Sequence, residues 1–240
     1  MSKFAAIVVA AGDSVRMKKT GVLISKPLIS LEGVPMIVHT LRGLSAVEDI
    51  SQIVLVIRPE DAGEISHWIA AENFSRPISI VYGGSSRQQS VRNGVEAVTD
   101  AIDYLMIHDG ARPLVTREEL SAVMAAAMEK GAATLAVRVK DTIKMVDAGG
   151  KITMTPDRST LWAVHTPQVF EKEAYRSAMR KAEEEGQDFT DDCQLIEYVG
   201  RSVWVVEGKY TNLKITTAED ITLAETILRQ RAEFAKEETI

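Results

Sequence analysis

The chain has 240 residues, 45% hydrophobic and 26% charged, with a formal net charge of −6; that is soluble globular composition with length enough for one large α/β domain. The acidic balance excludes a general nucleic-acid backbone binder, whose footprint is basic, so a cationic site has to be local. One cysteine, Cys193, permits no internal disulfide and reads as a small buried hydrophobe, and no apolar run nears the ~20 residues of a membrane helix; both point to a protein of the reducing cytoplasm with no membrane partner.

Phe4 to Ala10 predicts a buried parallel strand, because Ile7, Val8 and Val9 form a continuous β-branched run. At its end Ala10, Ala11 and Gly12 leave their N–H groups uncovered by side chains, and Arg16, Lys18, Lys19 and Lys26 follow. Such amides and cations suit a polyphosphate; a plain strand with a solvated basic loop would leave the same pattern. Neither a Walker sequence nor a three-glycine dinucleotide fingerprint is present. Pro35 to Leu44 predicts a helix with Ile37, Leu41 and Leu44 on one face. Ile53 to Ile57 is a second buried strand, Asp61 to Ala71 a helix over it with His67 at the surface, and Ile78 to Tyr82 a third strand. Gly83 and Gly84 then lead into a helix on which Arg87 and Ser90 stand one turn apart, close enough to address one ligand. A plain glycine turn is the alternative.

Tyr104 to Ile107 is a fourth strand that delivers Asp109 to the carboxyl end of the sheet, where open α/β sheets bind ligands. Opposite a triphosphate this carboxylate makes sense as a magnesium ligand. Its alternative, capping the next helix, is a task that suits Thr116 better, ahead of Arg117 to Lys130. Ala132 to Arg138 is a fifth strand. Between Val139 and Trp162 alternating apolar residues flank Asp147-Ala148-Gly149-Gly150, a hairpin signal. It carries too little to fill a core, so it reads as an arm at about 139–160 that projects onto a partner. His165, in the stretch that follows, has no evident acid–base task. Glu171 to Glu185 is a charged helix, and 189–192 starts another with Thr190 as its cap. Val203 to Val206 is a late strand, 212–216 a short extended piece, Ala218 to Ala232 a last helix and 233–240 a fraying tail.

Several separated stretches, taken in order, resemble one family. Ala10-Ala11-Gly12, Arg16-Met17 and Lys26 look like the A-A-G-x-G-x-R-M…K-x-x-L signature of sugar-phosphate nucleotidyltransferases, in the form carried by the 2-C-methyl-D-erythritol 4-phosphate cytidylyltransferase family. Residues 83–94 match its G-G-x-x-R-x-x-S-V-x-x-G, 108–113 its H-D-x-A-R-P, 141–144 and 157–158 its D-T-x-K and D-R, 166–168 its T-P-Q and 212–214 its N-x-K. Ser14 replaces the second glycine, and the segment between Met17 and Lys26 is a few residues longer than usual.

The resemblance implies a single α/β, Rossmann-like domain over residues 1–240, with a mostly parallel twisted sheet and a β-arm used to form a homodimer. The implied reaction moves CMP from CTP to 2-C-methyl-D-erythritol 4-phosphate with Mg²⁺ and releases pyrophosphate, a step of mevalonate-independent isoprenoid synthesis. It assigns Ala10, Ala11, Gly12, Gly83, Gly84, Ser90, Asp109 and Gly110 to the nucleotide, with Asp109 on the metal. Arg16 and Lys26 fall on the α-phosphate and leaving group. Arg112, Thr166 and Lys214 fall to the acceptor, completed by Asp141, Thr142 and Arg158 from a neighbour's arm, where Lys144 and Asp157 also lie; Arg158 and Lys214 position the attacking phosphate. Gln168 approaches the substrate in the same picture. A cytidylyltransferase for another polyol phosphate, such as ribitol 5-phosphate, shares most of these motifs, although the A-A-G turn in place of G-G favours the first reading. A nucleotide-binding protein without catalysis is the more distant alternative.

Overall fold

Strand β1 (Phe4–Val9) runs through the middle of the main sheet because both of its faces are apolar: Phe4, Ala6 and Val8 enter one core cluster, Ala5 and Ile7 another. The computed structural model describes residues 2–12 and 25–237, so the expectations for Ser14, Arg16, Lys18 and Lys19 lie outside the described residues. After a short 3-10 turn at Lys26–Leu28 come the small hairpin β2 (Ser30–Leu31) and β3 (Val34–Pro35) and helix α1 (Met36–Ser45). Next are β4 (Ile50–Ile57), α2 (Ala62–Ala71), β5 (Ile78–Tyr82) and α3 (Arg87–Glu96). Then follow β6 (Tyr104–Asp109), α4 (Arg117–Lys130) and β7 (Ala132–Arg138). The arm is the ribbon of β8 (Met145–Val146) and β9 (Ile152–Met154). The chain closes with β10 (Trp162–Glu171), α5 (Lys172–Glu184), α6 (Asp192–Tyr198), β11 (Trp204–Glu207) and α7 (Ala218–Glu237).

The seven-stranded sheet has the order β11-β7-β10-β6-β1-β4-β5. Its pairs are parallel except that β10 runs antiparallel between β6 and β7. Helices pack on both faces, Ile37 and Leu41 of α1 with Leu120 and Val123 of α4 on one, Val91 and Val95 of α3 with Tyr175 of α5 on the other. β1, β4, β5 and β6 therefore end side by side, and the loops that leave them form one crevice. The fourth wall is the segment before α7, held where Ile215 and Ala224 pack on Leu31, Met36 and Leu114.

Four local expectations change. Trp162–Glu171, read only as a motif, is the longest strand of the sheet; its apolar half, Val169 and Phe170, fills the core, while Thr166 and Gln168 are buried polar residues. Helix α6 is capped by Asp191, whose Oδ1 accepts from the Cys193 and Gln194 N–H groups, and not by Thr190, because a carboxylate one residue nearer reaches both amides. Residues 212–216 pair with no strand; a backbone bond from Ile215 N to Ala111 O, with side-chain bonds at Asn212, ties them down. The tail continues as helix to Glu237, an extension of α7 beyond Ala232.

A candidate nucleotide-binding site

Glycine lets the three loops of the crevice meet. A Cβ on Gly83 would run into the Ala11 methyl, and one on Gly110 would stand 3.0 Å from the Ala10 Cβ and from Ile37 Cδ1. Backbone polarity is largely consumed in making this contact. The ladder continues one residue past each strand: Ala10 N donates to Val56 O at 2.7 Å, Gly83 N to Ile57 O and Gly110 N to Val9 O, both at 2.9 Å. Gly84 N donates to Ser90 Oγ, which itself donates to Ser86 O. The expectation of uncovered amides is thus corrected for Ala10, whose N–H belongs to the sheet. Among the described residues the N–H groups of Ala11 and Gly12 make no such bond, and both residues line the crevice.

The crevice holds two adjoining cavities that share Val9, Gly12 and Arg87. The larger, about 470 Å³, is lined by Ala11, Gly83, Gly84, Ser90 and the Arg58–Glu60 turn. The smaller, about 220 Å³, is lined by Ala10, Lys26, Asp109, Gly110 and Lys214. The first is shaped by glycine and also lined by Arg58, Glu60 and Arg87; the second gathers Lys26, Lys214 and Asp109 beside the shared Arg87. Lys214 Nζ stands 2.8 Å from Asp109 Oδ2, Arg112 Nε 3.8 Å from the same oxygen, and an Arg87 terminal nitrogen 3.9 Å from Oδ1. Burial pushes the Asp109 carboxyl up, but Lys214, Arg87 and Arg112 outweigh it and hold its pKa below the ordinary carboxylate value. It is therefore ionised at neutral pH.

Asp109 is held from beneath. Its N–H donates to Thr166 Oγ1 at 2.9 Å, and Thr166 also meets His108 Nδ1 at 3.1 Å. His108 Nε2 faces Arg112 O, which only accepts, so Nε2 carries the proton and Nδ1 accepts from the threonine hydroxyl. Burial lowers the His108 pKa to about 4, consistent with this neutral ring. Arg112 donates to Asn212 O at 2.7 Å, and Asn212 Nδ2 donates to Thr166 O at 3.0 Å. The two bonds pin the turn that presents Lys214, two residues on.

The structure thus brings Ala10, Ala11, Gly12, Lys26, Gly83, Gly84, Ser90, Asp109, Gly110 and Lys214 to one crevice. Thr166 and Arg112 lie under its floor, buried, and line neither cavity. Asp141, Thr142 and Arg158 stand exposed on the arm, where Arg158 donates to Lys140 O and Lys144 to Thr155. They line neither cavity of their own chain. Gln168 turns from the crevice to donate to Asp191, and Cys193 and His67 are, as expected, buried and exposed respectively.

Two supports had no local signal. Ser25, next to Lys26, donates to Asp61 Oδ2 at 2.8 Å and accepts from Arg58, which grips the same carboxylate. This brace fixes the start of the Lys26 turn from the end of β4. The other is the partner that Arg87 finds in Asp192, at 2.6 Å. Both join residues distant in sequence, where periodicity and spacing are silent.

Among the described residues no three His, Cys, Asp or Glu side chains converge on a point, so no cage of protein ligands alone awaits a metal. Among the described residues Asp109 is the only carboxylate lining the charged cavity, and its Oδ1 is less tightly paired than Oδ2. That donor set fits a hard cation that keeps its waters and brings phosphate oxygens as its other ligands.

Comparison with known proteins agrees with this construction. Residues 4–230 match the family model described as IspD, 2-C-methyl-D-erythritol 4-phosphate cytidylyltransferase. The chain is 45% identical over 227 residues to the 2-C-methyl-D-erythritol 4-phosphate cytidylyltransferase of Caldanaerobacter subterraneus subsp. tengcongensis, covering 94% of this chain and 98% of the relative. It is 42% identical over 232 residues to the protein of that name from Desulforamulus reducens, covering 96% and 98%. Among solved structures, 4-diphosphocytidyl-2C-methyl-D-erythritol synthase from Anaerococcus prevotii superposes with a TM-score of 0.84 at 32% identity, over 95% of this chain and 99% of that one. The chain belongs to the 2-C-methyl-D-erythritol 4-phosphate cytidylyltransferase family.

Proposed function

We propose that the crevice transfers CMP from CTP to 2-C-methyl-D-erythritol 4-phosphate, and that its two cavities divide the work. The observation that carries this reading is the contrast between them. A glycine-shaped cavity of about 470 Å³ suits the nucleoside, and a cavity holding Lys26, Lys214 and Asp109 suits the phosphates. An acceptor phosphate oxygen attacks the α-phosphorus; the new P–O bond forms as the bond to the β-phosphate bridging oxygen breaks, and pyrophosphate leaves. The nucleophile is already anionic, so no general base is needed. His165, its pKa lowered to about 4 by burial and by Arg112, is neutral and stays out of the chemistry.

Two anions must approach one another, and the chain's task is to offset that repulsion. Lys26 places its cation at the α-phosphate and leaving group, with Arg16 as a second cation from the first loop; each gains strength as charge crowds on phosphorus. The N–H groups of Ala11 and Gly12 face the same oxygens. Lys214 meets the acceptor phosphate and turns a bimolecular encounter into an oriented one. Mg²⁺ would be held by Asp109 and substrate oxygens; when bound it neutralises charge along the triphosphate. Thr166, His108, Arg112 and Asn212 keep Asp109 and Lys214 in place. Asp141, Thr142 and Arg158 serve the acceptor of a second subunit, since the arm carries them away from its own crevice. The arm's apolar residues, among them Met145, Val146, Ile152 and Met154, are 49–57% exposed and would be covered in that homodimer.

Pyrophosphate release from CTP and Mg²⁺ tests the reading, with methylerythritol phosphate and ribitol 5-phosphate offered side by side. Release with the first and little with the second is expected. Preference for ribitol phosphate would overturn the acceptor, and silence with both would overturn catalysis.

A further inference from the structure

Among the described residues Arg87 is the one cation that lines both cavities, and its strongest partner lies in neither. Its terminal nitrogen is 2.6 Å from Asp192 Oδ2 but 3.9 Å from Asp109 Oδ1. Asp192 is 4% exposed and sits at the start of α6, behind the crevice. Its other oxygen, Oδ1, accepts from the hydroxyl of Tyr175 at 2.6 Å, and Tyr175 is itself buried in the core between α5 and the sheet. Asp192 Oδ2 has no hydrogen-bond partner, so its ion pair with the guanidinium is what compensates this buried charge. Asp192 is thus anchored on one side and holds Arg87 on the other.

The distances set a competition. Lys214 already occupies Asp109 Oδ2; an Arg87 released from Asp192 has Asp109 Oδ1 as its nearest remaining carboxylate oxygen. Collapse onto it would put a cation on each oxygen of Asp109, the only carboxylate lining the phosphate cavity among the described residues, and withdraw the guanidinium from the junction of the two cavities. We propose that Asp192 is a positioning residue: anchored by Tyr175, it draws Arg87 back from Asp109, so that both groups remain available to the triphosphate of a bound nucleotide. The inference rests on reading this crevice as the CTP site. It explains why a buried carboxylate outside the crevice faces the guanidinium that joins its two halves.

CTP affinity, measured by calorimetry with Mg²⁺ in the full-length protein, tests the inference without requiring turnover. Asp192→Asn keeps the volume and removes the charge; it is expected to weaken CTP binding about ten-fold. Tyr175→Phe leaves both charges and loosens the anchor, with a smaller loss in the same direction, and serves if Asp192→Asn fails to fold. The decisive arm is non-additivity: in an Arg87→Ala background, where nothing is left to position, neither substitution is expected to weaken CTP further. Losses that add across the two backgrounds would show that Asp192 acts as general scaffold and overturn the inference, as would wild-type CTP affinity in folded Asp192→Asn. Failure of the wild-type protein to transfer CMP while it binds CTP would count against the proposed reaction alone.

Discussion

The crevice and the arm carry the same kinds of residue and present them in opposite ways. Among the described residues of the crevice and its floor Asp109 is 8% exposed and charge is held in place: Lys214 by Asp109, Arg112 by Asn212, the Lys26 turn by the Ser25–Asp61 brace. On the arm Asp141, Thr142 and Arg158 are exposed, and the ribbon that precedes Arg158 has an apolar surface but no core. Preorganised charge is what a polyphosphate reaction requires, because dipoles and cations already in place need no rearrangement as charge develops. The crevice meets that condition within one chain. The arm would meet it only against something else, and a second copy of this chain is the partner proposed here.

The largest effect should come from the crevice. Lys26→Ala is expected to lower turnover by two to three powers of ten, about 2.7–4 kcal/mol, with CTP affinity changed far less; a turnover unchanged in single-turnover kinetics would remove Lys26 from the transition state. The floor of the crevice should show in acid. His108 is neutral and its pKa is lowered to about 4 against 6.5 when unfolded, so its contribution is complete above pH 6.5. As pH falls from 6.5 towards 4 the unfolded chain takes up the proton first, and about 3 kcal/mol should be lost. Denaturant melts across that window should show the loss, and a His108→Gln variant should flatten the slope. The arm should act on acceptor use: Arg158→Ala is expected to lower kcat/KM for methylerythritol phosphate about ten- to a hundred-fold while the KM for CTP holds. Equal losses for both substrates would erase the distinction between the two regions. The smallest effect belongs far from either. Thr116→Ala breaks the capping box of α4 and should cost about 1 kcal/mol in a thermal melt, with kinetics untouched.

Most of the framework was legible because it is local. Ile7-Val8-Val9 and Ile53 to Ile57 announce strands buried on both faces, Thr116 announces a helix start, and Asp147 to Gly150 announces the turn of the arm. The motifs also placed Lys26, Asp109 and Lys214, since each lies beside a strand end or a turn that the pattern locates. What escaped is long-range. The β10 strand mixes buried threonine and glutamine with apolar residues, so its alternation is masked by the polar contacts Thr166 and Gln168 make beneath the site. Arg112 looks like a substrate cation in H-D-G-A-R-P, yet its guanidinium turns inward to Asn212, a hundred positions away. The Arg87–Asp192 pair spans a similar distance. Cap identity at α6 failed for a narrower reason: Thr190 and Asp191 are both good caps, and only the backbone decides which one lies in register.

The division of labour between crevice and arm is tested most directly by mixing. Lys26→Ala and Arg158→Ala subunits, each nearly inactive alone, are unfolded together, refolded in equal amounts and assayed for pyrophosphate release. If each site joins one subunit's crevice to the other's arm, half of the dimers are mixed and each has one intact site, so about a quarter of the wild-type rate should return. A mixture no more active than its components, with mixed dimers confirmed by mass spectrometry, would contradict a shared site.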